Sequence, residues 1–114
     1  MPHKEDIVRL RHMLDAAREA IQYAAGRSRA DLDHERPLQV LLVHSLEIVG
    51  EAANDISDEY CQSHPEIPWD VIIGMRNRLV HAYFDINLDI VWGTVTEDLP
   101  SLVVTLERLI SEEG

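Results

Sequence analysis

The most apolar helical stretch of this chain decides its fold, and it runs PLQVLLVHSLEIVGEAANDISDEY over residues 37–60. Apolar and small residues recur there at spacings of three and four, which indicates a helix from residue 38 to 60 with a wide buried face. That face consists of Leu38, Leu41, Leu42, Ser45, Val49, Ala52, Ala53 and Ile56, widened by Val40, Val43, Leu46 and Ile48. A helix that is apolar on more than one side is central in a bundle or buries its second side against a partner chain. The stretch therefore favours a homodimer, and Gly50 within it permits the close approach of another helix.

The sequence before this stretch also has helical spacing. Apolar residues from about residue 4 to 25 form one stripe, and Gly26 supplies a stop signal for that helix. Residues 27–35 are polar and predict a connection, which could include a short helical turn.

The sequence after it predicts three further helices. Residues 64–68 form a rigid break with two prolines, and Pro68 suits the first turn of the next helix. Asp85 or Asn87 can cap the next helix, and Pro100 predicts a break or kink before the last one. Since no segment has the pattern of a strand, the predicted fold class is all-α, an up-and-down bundle of about five helices.

Composition limits the class of protein. With 114 residues, of which 46% are hydrophobic, the chain predicts a single globular domain over residues 1–114. The single cysteine, Cys61, cannot form an internal disulfide, and the start lacks the apolar core of a signal peptide. Charges interrupt every apolar run, which argues against a membrane-spanning helix. These features predict a cytoplasmic protein that does not contact membranes.

Charge argues against a surface that coats nucleic acid. The formal net charge is −11, from 21 acidic against 10 basic residues, whereas neutralising phosphates needs clustered cations. A local cationic site remains compatible with this balance. Arg76 and Arg78 form the one basic group in an otherwise apolar segment, so that segment is the candidate.

The segment MRNRLVHAYF, residues 75–84, concentrates reactive side chains. Its guanidiniums, amide, imidazole and phenol come from Arg76, Arg78, Asn77, His81 and Tyr83. On a continuous helix Arg76 and Tyr83 lie about 20° apart, whereas Arg76 and His81 lie about 140° apart. Either the helix ends near His81 and a loop turns the ring back, or His81 meets a site that two chains share.

These residue types suit RNA cleavage without a metal or other cofactor. Arg76 can grip a phosphate in bidentate fashion and stabilise its transition-state charge, and Asn77 can orient either group. His81 can take a proton from a ribose 2′-hydroxyl or give one to the leaving oxygen. The structural alternative is that the arginine pairs with a carboxylate and the histidine caps a helix end.

Several motifs stand in a fixed order along the chain. Residues 76–83 have the pattern R-x-x-x-x-H-x-Y, and the accompanying segments are 47–53, 64–69, 74–77, 89–92 and 98–100. Together these motifs resemble the HepT-like ribonuclease toxins of the HEPN superfamily, and the likeness extends from about Glu5 to Leu109. At the motif positions the chain has the residues that the family pattern requires.

The resemblance implies a particular activity and a particular regulation. It implies a helical-bundle homodimer in which two copies of the Arg76–His81 motif meet in a cleft. It also implies a metal-independent endoribonuclease that damages RNA, including tRNA, as the toxin of a type VII toxin–antitoxin pair. The partner would be an MntA-like nucleotidyltransferase antitoxin that transfers AMP from ATP to Tyr83 and so blocks RNA entry.

Other polar groups give weaker predictions. His44, Glu47 and Glu51 share a helix face, but the order His-x-x-Glu is the reverse of that in di-metal bundles, so no metal is expected. We expect Glu51 instead to face Arg76 and to orient a guanidinium. Trp69 and Trp92 could stack on a base, although core positions are more typical of tryptophan on such helices. Cys61 has no cationic neighbours that would make it a nucleophile.

Two hypotheses compete with the nuclease. The chain could be a non-catalytic module that binds and regulates a nucleotidyltransferase, for which its acidic surface is suitable. It could also bind nucleotides, with Arg76 and Arg78 gripping a triphosphate. An assay of RNA cleavage in the presence of EDTA distinguishes the regulatory module from the nuclease. Titration with ATP alone tests the nucleotide-binding hypothesis.

Overall fold

The computed structural model describes residues 4–81 and 86–113, except for the side chains of residues 80 and 81. Its elements are α1 (Lys4–Ala24), α2 (Arg29–His34), α3 (Arg36–Asn54), α4 (Asp58–Ser63), α5 (Trp69–His81), α6 (Leu88–Gly93), a π-helical turn (Thr94–Asp98) and α7 (Leu99–Glu113). Within these ranges there is no strand, so the predicted all-α class is confirmed. The five predicted helices correspond to α1, α3, α5, α6 and α7, while α2 and α4 are short additions.

The prediction of a central second helix is confirmed. Helix α3 packs against both α1 and α5, and α1 packs against α7 on its other side. Helices α1, α3 and α7 contribute fully buried side chains, among them Leu10, Met13, Leu42, Leu106 and Leu109. Because α3 lies between α1 and α5, its residues position both neighbours, and residues 76–81 of the candidate motif lie on α5.

The predicted helix over residues 38–60 is confirmed up to Asn54, but it is interrupted at residues 55–57. Helix α3 ends at Asn54, and Ser57 starts α4 by accepting a hydrogen bond from the backbone N–H of Tyr60 through its Oγ. The carboxylate of Asp6, which is only 2% exposed, accepts hydrogen bonds from the Ser57 N–H at 2.9 Å and from its hydroxyl at 2.7 Å. A buried contact with a residue near the start of the sequence therefore stabilises the break between α3 and α4. The residues around position 57 give no sign of such a contact.

The polar connection over residues 27–35 contains the short helix α2. Ser28 and Asp31 form a capping box, in which each side chain accepts a hydrogen bond from the other residue's backbone N–H. Arg29 holds this segment to the second half of the chain through an ion pair with Asp89 at 2.7 Å. The connection is therefore an ordered part of the fold.

Of the predicted break or kink at Pro100, the break is absent. Helical backbone continues from Leu88 to Glu113, and Pro100 lies in the first turn of α7, directly after the π-helical turn. Because proline has no N–H to donate, the backbone changes its hydrogen-bonding pattern there without leaving the helix. Asn87 is confirmed as the cap of α6, since its Oδ1 accepts from Asp89 N–H and Ile90 N–H. The other predicted cap, Asp85, lies outside the described residues.

Replacing Asp6 by alanine is expected to destabilise the fold by about 3 kcal/mol, because charged hydrogen bonds are lost and the Ser57 donors lose their acceptor. Urea unfolding followed by circular dichroism measures the change. Asp15→Ala on the exposed face of the same helix is the matched control, and we expect it to change the free energy of unfolding by less than about 0.5 kcal/mol. Equal losses from the two variants would contradict the role of Asp6.

Candidate active site

Arg76 lies where helices α3 and α5 approach most closely. A Cβ built on Gly50 of α3 would lie 2.1 Å from Arg76 Cβ, 2.7 Å from Arg76 Cγ and 3.2 Å from the carbonyl oxygen of Ile72. Ordinary carbon–carbon contacts lie at about 3.5–4.0 Å, so no side chain fits at position 50. The prediction that Gly50 permits close helix approach is therefore confirmed, and the helix it admits is the one that carries Arg76.

The guanidinium of Arg76 has few partners inside the chain. Its Nη1 donates a hydrogen bond to Asn77 Oδ1 at 3.0 Å, which brings two of the predicted site residues together. Its Nε is buried and has no hydrogen-bond partner among the described residues. An unmet buried donor of this kind costs about 1–3 kcal/mol, and a bound ligand or partner is one way to satisfy it.

Most other arginines of this acidic chain are already neutralised. Ion pairs with carboxylates are formed by Arg9, Arg18, Arg27, Arg29 and Arg108. Within the described residues neither Arg76 nor Arg78 has such a pair, so the structural alternative of a salt-bridged Arg76 finds no support in the chain itself. Arg11 and Arg36 also lack a carboxylate partner, but both are exposed, whereas Arg76 is half-buried.

Asn77 and Arg78 are exposed on the outer side of α5. Arg78 lines a hollow of about 150 Å³ between α5 and the start of α6, together with Met75, Asn87 and Ile90. The predicted supporting residues thus lie beside Arg76 on the same helix, and Arg78 faces the segment that begins α6.

His81 is the last described residue of α5. Because the backbone is helical from Arg76 to His81, these two positions lie about 140° apart around the helix axis. Residues 82–85, where a loop could turn the ring of His81 back, lie outside the described residues. Tyr83, the predicted AMP acceptor, lies outside the described residues.

Glu51 does not lie where we expected it. It is exposed and lines a hollow of about 270 Å³ with Arg9, His12 and Asp55, on the side of α3 that faces α1. Within the chain it therefore forms no ion pair with Arg76, although it follows Gly50 directly in sequence. One helical residue is a rotation of about 100°, which suffices to move a side chain from one neighbouring helix to another.

Two aromatic residues near the start of α5, Trp69 and Tyr60, have structural roles. Trp69 is 8% exposed and donates a hydrogen bond from Nε1 to the carbonyl oxygen of His64 at 2.9 Å, so it is not available to stack on a base. Tyr60 stacks on His64 with ring centroids 4.3 Å apart, and burial raises the pKa of Tyr60 to about 12. Burial also raises the pKa of Cys61, which disfavours a thiolate.

An apolar groove of about 350 Å³ lies between α5 and α7, with Leu46 and Val49 of α3 among its lining residues. It contains none of the predicted site residues that the structure describes. Among all the residues that the structure describes, no three His, Cys, Asp or Glu side chains are grouped as a metal site. No described helix is long and apolar enough to span a membrane.

Comparisons with known proteins test the family resemblance. The profile of the family "Ribonuclease HepT-like" matches residues 13–109. A relative from Caldanaerobacter subterraneus subsp. tengcongensis, named as a proposed RNase, is 34% identical over 104 residues, which cover 91% of this chain and 93% of the relative. A relative from Thermococcus cleftensis, whose name proposes a ribonuclease HepT, is 41% identical over 75 residues, covering 66% and 68% of the two chains.

A more distant relative from Methanocaldococcus jannaschii, also named as a proposed RNase, is 26% identical over 112 residues, or 98% of this chain and 93% of its own. No solved structure matches the chain. A small all-α protein with a cationic motif on one helix is the class that fold and site define. The chain belongs to the HepT-like ribonuclease family, and the predicted resemblance is confirmed.

Proposed function

We propose that this chain is a metal-independent endoribonuclease and the toxin of a type VII toxin–antitoxin pair. Arg76 binds the scissile phosphate and stabilises its developing charge, and His81 is the acid–base group. Asn77 holds the guanidinium through the hydrogen bond at 3.0 Å, and Arg78 adds positive charge beside it. Family membership supports RNA as the substrate, with tRNA as one candidate.

The observation that carries this proposal is the state of Arg76. In a chain of net charge −11 it is half-buried, lacks a carboxylate partner among the described residues, and has a buried Nε without a hydrogen bond. An acidic protein has ample carboxylates to neutralise an arginine, as the ion pairs of Arg18 and Arg108 demonstrate. A cation left open in this setting is available to an anionic ligand such as a phosphodiester.

The reaction that suits these groups uses the RNA as its own nucleophile. A base removes the proton of the ribose 2′-hydroxyl, the 2′-oxygen bonds to phosphorus, and the bond from phosphorus to the 5′-oxygen breaks as that oxygen takes up a proton. The guanidinium of Arg76 neutralises the charge that builds on the non-bridging oxygens. The products carry a 2′,3′-cyclic phosphate and a 5′-hydroxyl, and no step requires a metal ion.

A homodimer would complete this site. On a continuous helix positions 76 and 81 are about 140° apart, so a site shared by two chains is one way to bring the two groups together. The second side of α3 also leaves apolar surface uncovered, since Val40 is 50% exposed and Leu41 is 39% exposed. Burying such residues against a second copy would stabilise a small domain and could place one chain's Arg76 near the other chain's His81.

Regulation would act on the same segment. An MntA-like nucleotidyltransferase would transfer AMP from ATP to the hydroxyl of Tyr83, with release of pyrophosphate. Tyr83 lies seven positions after Arg76 in the motif, so the added phosphate would compete with RNA for the guanidinium. We expect the Tyr83 peptide to gain the mass of one adenylyl group (AMP less one water) after incubation with that enzyme and ATP, while Tyr83→Phe gains none.

The test of the activity is direct. Purified chain is incubated with labelled RNA and with total tRNA, with EDTA present and nucleotidyltransferase absent. Cleavage to 2′,3′-cyclic phosphate ends supports the proposal, and DNA of the same sequence, which lacks the 2′-hydroxyl, should stay intact. An absence of cleavage by a folded, dimeric sample would overturn it and favour the regulatory module.

A further inference from the structure

We infer that Gly50 is a positioning residue for Arg76. Because position 50 of α3 has no side chain, the aliphatic stem of Arg76 packs against it, and this contact orients the guanidinium. This inference rests on the proposed role of Arg76 in binding the scissile phosphate. Gly50 itself would touch neither RNA nor the reacting atoms, so its effect on cleavage would pass entirely through Arg76.

The contact at Gly50 is unusually close. Both Cβ and Cγ of Arg76 occupy the volume that a methyl group at position 50 would need, at 2.1 Å and 2.7 Å from its ideal place. The carbonyl oxygen of Ile72, one turn earlier on α5, lies 3.2 Å away. Since Cβ of Arg76 and the Ile72 carbonyl are fixed to the backbone, no change of rotamer relieves the overlap. A larger residue at position 50 must therefore shift the helices at Arg76 by about 1.5 Å to restore ordinary contact.

Other glycines in the helices do not share this property. A Cβ added at Gly74 on α5 would meet nothing within 4 Å, and one at Gly93 would lie 3.9 Å from Glu97 Oε2. Glycine in the middle of a helix is less favourable than alanine, so a glycine in α3 requires a compensating reason. At position 50 the structure supplies one, because Arg76 fills the space.

The same contact explains why Nε of Arg76 is buried. With the stem of Arg76 pressed onto α3, its Nε becomes buried, while its Nη1 reaches Asn77 Oδ1. The guanidinium is thus restricted before any ligand arrives. Preorganised positive charge stabilises a transition state more than a mobile side chain does, and a misplacement of about 1 Å can lower a rate about 100-fold.

The first experiment compares two glycine-to-alanine variants. Gly50→Ala should lower kcat for RNA cleavage by about 100-fold with a smaller change in KM, because the phosphate is still bound but the charge is misplaced. Gly74→Ala is the matched control, since it makes the same chemical change in open space on α5, and its kcat should match that of the wild type. Retention of full kcat by Gly50→Ala, while Arg76→Ala is inactive, would overturn the inference and leave the proposed function intact.

The second experiment tests the contact without relying on activity. Arg76→Gly removes both of the closest atoms, so we expect it to lower Tm in the wild-type background but to raise Tm in the Gly50→Ala background. The double variant also keeps the test informative if Gly50→Ala alone does not fold. A decrease in Tm of equal size in both backgrounds would show that position 50 does not press on Arg76. Loss of the nuclease hypothesis would leave this thermal result unchanged.

Discussion

Replacing Arg76 by alanine is expected to lower kcat for RNA cleavage by about 100- to 1,000-fold, the usual loss when a preorganised group that stabilises transition-state charge is removed. The physical reason is that the Arg76 side chain is held in place while its positive charge is not neutralised by a carboxylate. It is seated on Gly50, hydrogen-bonded to Asn77 and free of carboxylate partners among the described residues. Steady-state cleavage of a labelled RNA, with folding checked by circular dichroism, measures the change.

The control for charge is Arg11→Ala. Arg11 is exposed on α1 and forms no ion pair within the described part of the chain, so its loss changes the net charge equally and should leave kcat within about two-fold. Arg76→Lys should recover only a small part of the activity, because an ammonium group cannot make the planar bidentate contact of a guanidinium. Similar activities for Arg76→Ala and Arg11→Ala would refute the catalytic assignment.

Replacing His81 by alanine is expected to lower kcat by about 100- to 10,000-fold, because general acid–base catalysis contributes that range. Circular dichroism checks that the variant keeps its helical fold. RNA binding measured by fluorescence anisotropy should change little, which separates proton transfer from substrate affinity. A His81→Ala protein that is folded and still cleaves RNA at the wild-type rate would contradict the proposed chemistry.

Mixing the two inactive variants tests whether the site is shared. If Arg76 of one chain acts with His81 of the other, a mixed dimer of Arg76→Ala and His81→Ala has one intact site. After subunit exchange an equal mixture should then recover about a quarter of the wild-type activity, since half of the dimers are mixed and each has one of two sites. If each site used two groups of the same chain, the mixture would stay inactive, and the shared geometry would be refuted.

The sequence predicted the fold class because helical periodicity is a local property. The stripe of α1, the broad apolar face of α3 and the spacing of α7 each follow from residues three and four apart, and Asn87 was identifiable as a cap from its place before an apolar run. The error at the end of α3 occurred where a distant residue takes part. The end of α3 depends on Asp6, which lies 51 positions from Ser57.

The candidate site divides in the same way. The sequence by itself predicted which residues carry chemistry, since Arg76, Asn77 and His81 lie in one segment of ten residues, 75–84. Only the tertiary structure decided that the stem of Arg76 packs against Gly50 and that Glu51 faces α1 instead of α5. The physical reason is that spacing along a helix fixes the angle between side chains, whereas the neighbour that each side chain meets depends on how the helices pack.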